Sequence, residues 1–302
     1  MDFIPVETVG GGQGYLAAPG GSPLNTAISI SRLGVEAGFL GKLSTDFFGD
    51  EFKAWLDHNR VATTYVTRAE APSTLAFVKR DRSGDAQYAF FTAATADGLL
   101  AESDLPAELP ASVECLQFGS ISLAMAPACE TITRLVLRER GKRVLSFDPN
   151  IRPGLISDSG GYRERFARLA EAATVLKLSD ADLGWLYPGV TFEHAVVRAG
   201  GLGPPLVVVT RGAEGVIGIC PRGSVQVAAV QPPGGVADTV GAGDSFHGAL
   251  LASLQRLGKL TLAAIAELSR SDLEQVLRFA VRVAAITCSR PGADPPWIAE
   301  LE

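Results

Sequence analysis

The run "DTVGAGDSFHGALLASL", Asp238 to Leu254, sets an anion beside a loop suited to hold one. Gly241, Ala242 and Gly243 stand directly before a helical pattern, where exposed backbone N–H groups attract negative charge. The next residue, Asp244, is itself negative. A carboxylate in a first helical turn gains about 0.3–1 kcal/mol from the macrodipole, but that role needs no small residues ahead of it. Small residues matter where something must approach the backbone closely. The combination suits N–H groups that face a phosphoryl group in transfer, with a carboxylate alongside to take the proton of an attacking hydroxyl. General-base catalysis contributes roughly 10²–10⁴-fold, and preorganised donors stabilise charge that develops on the phosphoryl oxygens.

A second stretch, "PGGSPLN", removes side chains at Gly20 and Gly21 and projects the amide of Asn25 from a first helical turn. Amides both donate and accept, which suits a hydroxyl-rich ligand, although the same residues would serve an ordinary loop and cap. The Walker pattern GxxxxGK[ST] is absent. Gly12, Gly14 and Ala17 match GxGxxA, but without the strand before and the helix after that dinucleotide binding requires. His58, His194 and His247 have no metal-ligand spacing among themselves, and His247 reads as a helix-surface or packed residue rather than a general base. Cys115, Cys129, Cys220 and Cys288 are far apart and apolar in setting, as expected of free thiols in a reducing cytoplasm.

Elements must position these groups. The helix from the opening motif carries Phe246, Leu250, Leu254 and Leu257 on one face and stops at Gly258. "SPLNTAISISRLG" places Leu24, Ala27, Ile28 and Ser31 together, and "SDLEQVLRFAVRVAAITC" predicts a helix with a capping box of Ser271 and Glu274. From about residue 97, helical stretches alternate with "VECLQFG", "RVLSFDP", "ATVLKLS" and "PLVVVT", which predicts parallel strands with crossover helices. A meander, "VIGIC" to "VQVAAV", should finish the sheet edge. Residues 3–18 and about 62–95 alternate apolar and polar side chains around turns such as Arg82–Asp85, and predict a small antiparallel sheet that could serve as a lid. The 302 residues, 47% hydrophobic, read as a single α/β domain with no linker. A net charge of −6 with scattered Lys and Arg excludes a nucleic-acid face, and no apolar run is long enough for a membrane span.

Both long motifs resemble signatures of the ribokinase-like (PfkB) carbohydrate kinases, the fructokinases most of all. "GGSPLNTAISISRLGVEAGFLGKLSTDFFGD" looks like the first signature and "DTVGAGDSFHGALL" like the second. The resemblance covers nearly the whole chain. It implies a three-layer α/β fold with a mostly parallel sheet and a β-sheet lid, ATP and Mg²⁺ as cofactors, and a sugar as phosphoryl acceptor. Gly241, Ala242 and Gly243 would then form the anion hole and Asp244 the base, while Asp2, Gly20, Gly21, Asn25 and Arg152 (in "DPNIRP") would hold substrate. Ser179, Thr210, Gly212 and Gly243 would meet the nucleotide. "SDAD" replaces the family's Asn-x-x-Glu, so that Ser179 stands for the Asn and Asp182 would order Mg²⁺ through water. Asp238, with carbonyls of Val240, Thr287, Arg290 and Gly292, matches positions that bind a monovalent cation such as K⁺. Gly119 stands near an acidic residue of the ribokinases, which argues against a pentose. Fructose is the expected sugar. A 2-keto-3-deoxygluconate kinase, using Arg152 and Tyr88, is the near alternative, and a non-catalytic binding protein on the same fold the more distant one. Lid-to-lid homodimers are common in the family. Members begin with an apolar strand that ends in a sugar-binding Asp, so a first strand is expected upstream of Asp2.

Overall fold

The chain is described by a computed structural model that covers residues 1–80 and 86–301, so the turn expected at Arg82–Asp85 lies outside the described residues. The N-terminal part forms β1 (Asp2–Glu7), β2 (Gln13–Ala18), α1 (Ser22–Arg32), β3 (Gly38–Ser44), α2 (Phe47–His58), β4 (Ala62–Ala69), β5 (Leu75–Arg80) and β6 (Ala86–Phe91). Strands and helices then alternate: β7 (Cys115–Gly119), α3 (Ala128–Glu139), β8 (Val144–Asp148), α4 (Ser159–Ala172), β9 (Val175–Ser179), α5 (Asp180–Leu186), α6 (Phe192–Gly200) and β10 (Leu206–Thr210). The hairpin β11 (Val216–Cys220) and β12 (Gly223–Val227) follows, then α7 (Ala242–Arg256), α8 (Leu262–Ala266) and α9 (Arg270–Cys288).

Six strands form the main sheet in the order β12-β11-β10-β9-β8-β7, parallel from β7 to β10 and antiparallel through β11 and β12. Side chains alternate across a strand, and here both faces are covered. Leu206 and Val208 pack with Leu250 of α7 and Leu277 of α9, whereas Val207 and Val209 pack with Val136 of α3 and Leu169 of α4. The same alternation turns Leu145, Phe147, Leu176 and Leu178 toward α3–α6. It therefore leaves Ser146, Asp148 and Lys177 on the α7 side, a polar cluster inside an otherwise apolar layer.

A four-stranded sheet, β2-β1-β5-β6, stands apart from the main one. Its hairpins are antiparallel, but β1 and β5 join them in parallel. One face carries Ala76, Tyr88 and Phe90 toward a cavity, while Tyr15, Leu16 and Phe91 on this sheet are exposed. Residues 62–69 correct the expectation of an antiparallel lid strand: as β4 they pair in parallel with β3 in a separate two-stranded sheet. Alternating polarity reports a half-exposed strand and is silent about its direction. All residues from 38 to 44 and from 115 to 119 line the cavity. Lining by consecutive residues of both strands means that the cavity runs along the edges of β3 and β7.

The cap of α9 differs from the expected one. Ser269 Oγ accepts from Asp272 N at 3.0 Å, while Glu274 pairs with Arg278 one turn on. Both Ser-x-x-acid pairs occur in sequence, and the helix starts at the earlier. The four cysteines are free thiols. No helix among the described residues is long and apolar enough to cross a membrane.

Candidate active site

Helix α7 begins on the wall of a cavity of about 1420 Å³ that also receives residues of α1, β1, β6, β9, the end of β10 and the loop after β8. Gly241, its N-cap, has φ +74°, a left-handed conformation that favours glycine, and no side chain caps the helix. Ala242 N donates to the Thr239 carbonyl at 3.3 Å, so the amides left open at this terminus, among the described residues, are those of Gly243 and Asp244, the latter the third helical residue. Asp244 is 7% exposed. Its Oδ2 accepts from Asn25 Nδ2 at 2.8 Å across the α1–α7 contact, where Ser29 Oγ also donates to the Ser245 carbonyl at 3.1 Å. Burial pushes the Asp244 carboxyl above the usual carboxylate range, and the Asn25 bond works the other way. Asn25, expected to hold sugar, thus also aims the carboxylate.

The other expected substrate residues face the same cavity: Asp2, Gly20, Gly21 and Arg152. The Asp2 carboxylate lies on Gly20, where a β-carbon would come within 2.0 Å of Oδ2. Burial pushes Asp2 up to about 6, against the pull of the N-terminal ammonium and Arg152. The Arg152 guanidinium sits 5.5 Å from the Tyr88 ring centre, and burial pushes that phenol up to about 12. Gly119 has a local reason to be glycine, since a β-carbon there would lie 1.6 Å from the Asp148 carbonyl oxygen.

Of the residues expected to meet the nucleotide, Ser179, Thr210, Gly212 and Gly243 all line the same cavity, as does Asp180. Asp182 turns inward. Its Oδ1 accepts from Ile151 N at 2.7 Å, and its Oδ2 accepts from the Ser179 N–H at 2.8 Å and hydroxyl at 2.7 Å. With both oxygens engaged and only 3% exposure, Asp182 does not fit as a direct ligand of Mg²⁺. The segments expected to hold a monovalent cation meet. Asp238 Oδ1 accepts from Val240 N at 3.1 Å and Oδ2 from Gly292 N at 3.0 Å, while Arg290 N donates to the Thr287 carbonyl at 3.1 Å.

A charged pair escaped the sequence reading. Lys177 Nζ donates to Asp148 Oδ2 at 2.8 Å, with the two side chains 4% and 0% exposed. The available signal was a lysine inside "TVLKLS", a run that otherwise reads as a strand buried on both faces.

A cavity between a lid-like sheet and an α/β sheet, with an uncapped helix N-terminus and a buried carboxylate, has the form of a phosphoryl-transfer site. Residues 2–300 match the pfkB family carbohydrate kinases, and the chain belongs to that family. It is 39% identical over 280 residues to a fructokinase of Rhizobium leguminosarum bv. trifolii, a match that covers 92% of this chain and 83% of the relative. A probable fructokinase-3 of Arabidopsis thaliana is 35% identical over 100% of this chain and 87% of its own. Among solved structures, the ATP-bound fructokinase of Xylella fastidiosa superposes with a TM-score of 0.87 at 25% identity over 99% of this chain and 94% of that one. The fructokinase of Vibrio cholerae O395 with fructose, ADP and calcium ion gives 0.82 at 27% identity, over 97% and 91%.

Proposed function

We propose that this carbohydrate kinase transfers the γ-phosphoryl group of ATP to the primary hydroxyl of a hexose, with fructose the preferred acceptor. The observation that carries this reading is the Asn25–Asp244 hydrogen bond of 2.8 Å at the uncapped start of α7. It holds a buried carboxylate toward the cavity beside the open amides of Gly243 and Asp244. Asp244 removes the proton of the hydroxyl, the hydroxyl oxygen forms a bond to the γ-phosphorus, and the bond to the bridging oxygen breaks with its electron pair leaving on ADP. The Gly241, Gly243 and Asp244 amides and the helix dipole stabilise charge on the phosphoryl oxygens. A magnesium ion carried by the triphosphate would supply further neutralising charge there. Asp2, on Gly20, and the cavity-facing Arg152 hold the sugar. The relatives named fructokinase, and the neighbour solved with fructose and ADP, support the choice of sugar.

A ketodeoxygluconate reading is favoured by one observation: Arg152 and Tyr88 stand together on the wall, a pair able to take a substrate carboxylate. ATP turnover with fructose, 2-keto-3-deoxygluconate, ribose and adenosine separates the two. Stimulation by fructose above the others is the expected result. Preference for the ketodeoxy acid would replace the acceptor, and turnover that no sugar stimulates would sink the kinase mechanism.

A further inference from the structure

Strand β9 is covered on both faces, yet it carries Lys177 at its centre. A buried ammonium is costly unless something answers its charge and its donors. Asp148 on β8 answers one donor, at 2.8 Å. Asp148 is itself flanked by His247 of α7, whose Nδ1 lies 3.6 Å from the same carboxylate oxygen. The other ring nitrogen, Nε2, lies 2.6 Å from Ser146 Oγ on β8. Asp148, His247 and Ser146 are each fully buried, so this chain of polar groups holds the lysine head in place.

The ammonium has three N–H donors, and among the described residues Asp148 is its one hydrogen-bond acceptor. The head also reaches the cavity, where Lys177 is a wall residue with Gly243 and Asp244. It presses on the underside of the α7 turn, since a β-carbon on Gly243 would come within 3.2 Å of Nζ. Strand pairing between β8 and β9 would need neither the approach to Gly243 nor the opening to the cavity.

We propose that the Lys177 ammonium is a direct ligand of the transferred phosphoryl group, presented beneath Gly243 by Asp148. This rests on the kinase reading above. In the transfer Lys177 keeps its proton and donates hydrogen bonds to a phosphoryl oxygen, while the hydroxyl proton goes to Asp244 and the leaving electron pair to ADP. Burial works against the charged amine, but Asp148, Asp182 and Asp244 outweigh it and hold its pKa above the ordinary value. The lysine therefore stays cationic across the working range. Small side chains at 241–243 and a cation from the sheet below would then act on the same oxygens from different directions.

The test compares Lys177→Met, Lys177→Arg and Asp148→Asn in the full chain at saturating fructose. Lys177→Met should lower kcat about 10²-fold, the scale of a lost oxyanion donor. It should leave KM for fructose within about twofold and abolish the excess affinity for ATP over ADP, the two nucleotides that differ by the γ-phosphoryl. Lys177→Arg, which keeps the charge in a wider head, should hold its melting temperature and recover about a tenth of the rate. Asp148→Asn, which spares the ammonium, should lose less kcat than Lys177→Met. If Lys177→Met does not fold, the arginine variant decides: a normal melting temperature with kcat reduced supports the assignment, and wild-type kcat overturns it. Equal loss in Asp148→Asn and Lys177→Met would make the pair a strand brace and overturn it as well. A wild-type chain without sugar-stimulated turnover overturns the kinase reading and this assignment together. An active wild type with an unimpaired Lys177→Met overturns this assignment alone.

Discussion

Helices α5 and α7 both start beside the cavity, and both carry an aspartate as their third residue, Asp182 and Asp244. In α5 the aspartate folds back. Ser179 and Asp182 form a reciprocal capping box, and Asp182 also takes the Ile151 amide, so that this terminus satisfies its own donors. In α7 the N-cap is a glycine with no side chain to offer, and Asp244 is drawn away from its own backbone by Asn25 of a different helix. Two sequences with an acid at the same helical position thus give a closed terminus and an open one. The difference lies one residue before the helix, in Ser179 against Gly241, and in whether a neighbouring helix supplies a competing partner.

That contrast can be broken at several points. Asp244→Asn should lower kcat at least about 10²-fold while ATP affinity, measured by titration, holds. Asn25→Ala should free Asp244 to turn back on its own helix, as Asp182 does, and cost about 10–100-fold in kcat through misplacement of the base. Asp2 sharpens the picture from the lid side. Its carboxyl is raised from 3.8 to about 6, so in the folded state its ionised form is disfavoured above pH 6, whereas below pH 4 both states are protonated. Asp2→Asn should therefore raise the melting temperature by a few degrees at pH 8 and leave it unchanged at pH 4, at the expense of sugar affinity. The smallest effect belongs to the closed terminus. Ser179→Ala should cost about 1 kcal/mol in denaturant unfolding, the scale of a lost helix cap, with a smaller loss of kcat than Asn25→Ala.

Much of this was legible in the residues. Five-residue apolar runs mark β7 to β10 where they stand, and the small-small-small-acid order marks the start of α7. The direction of β7 to β10 was legible from their crossover helices, but that of β4 was not: it alternates like a lid strand yet pairs in parallel with β3, since period two says which face is wet and nothing about the neighbour. Nor was the partner of Asp244. Asn25 stands 219 residues away, and only the crossing of α1 on α7 brings its amide to the carboxylate. Lys177 left a trace in sequence, a charge in a doubly buried strand, but its meaning depends on Asp148 and Gly243 from two other elements. Asp182, expected to order Mg²⁺ through water, is also held by the Ile151 and Ser179 amides, partners that a spacing rule does not weigh.

If the open terminus of α7 presents a buried base, the pH dependence of kcat reports it. Burial raises the Asp244 carboxyl, and the base acts only when ionised, so kcat at saturating fructose and ATP should fall as pH drops through a value above the ordinary carboxylate pKa of about 4. Measured in Asp2→Asn, so that the carboxyl near 6 makes no contribution, that acid limb should remain. It should disappear from the residual rate of Asp244→Asn. A kcat that stays flat down to pH 4, or a limb that survives in Asp244→Asn, would contradict the account.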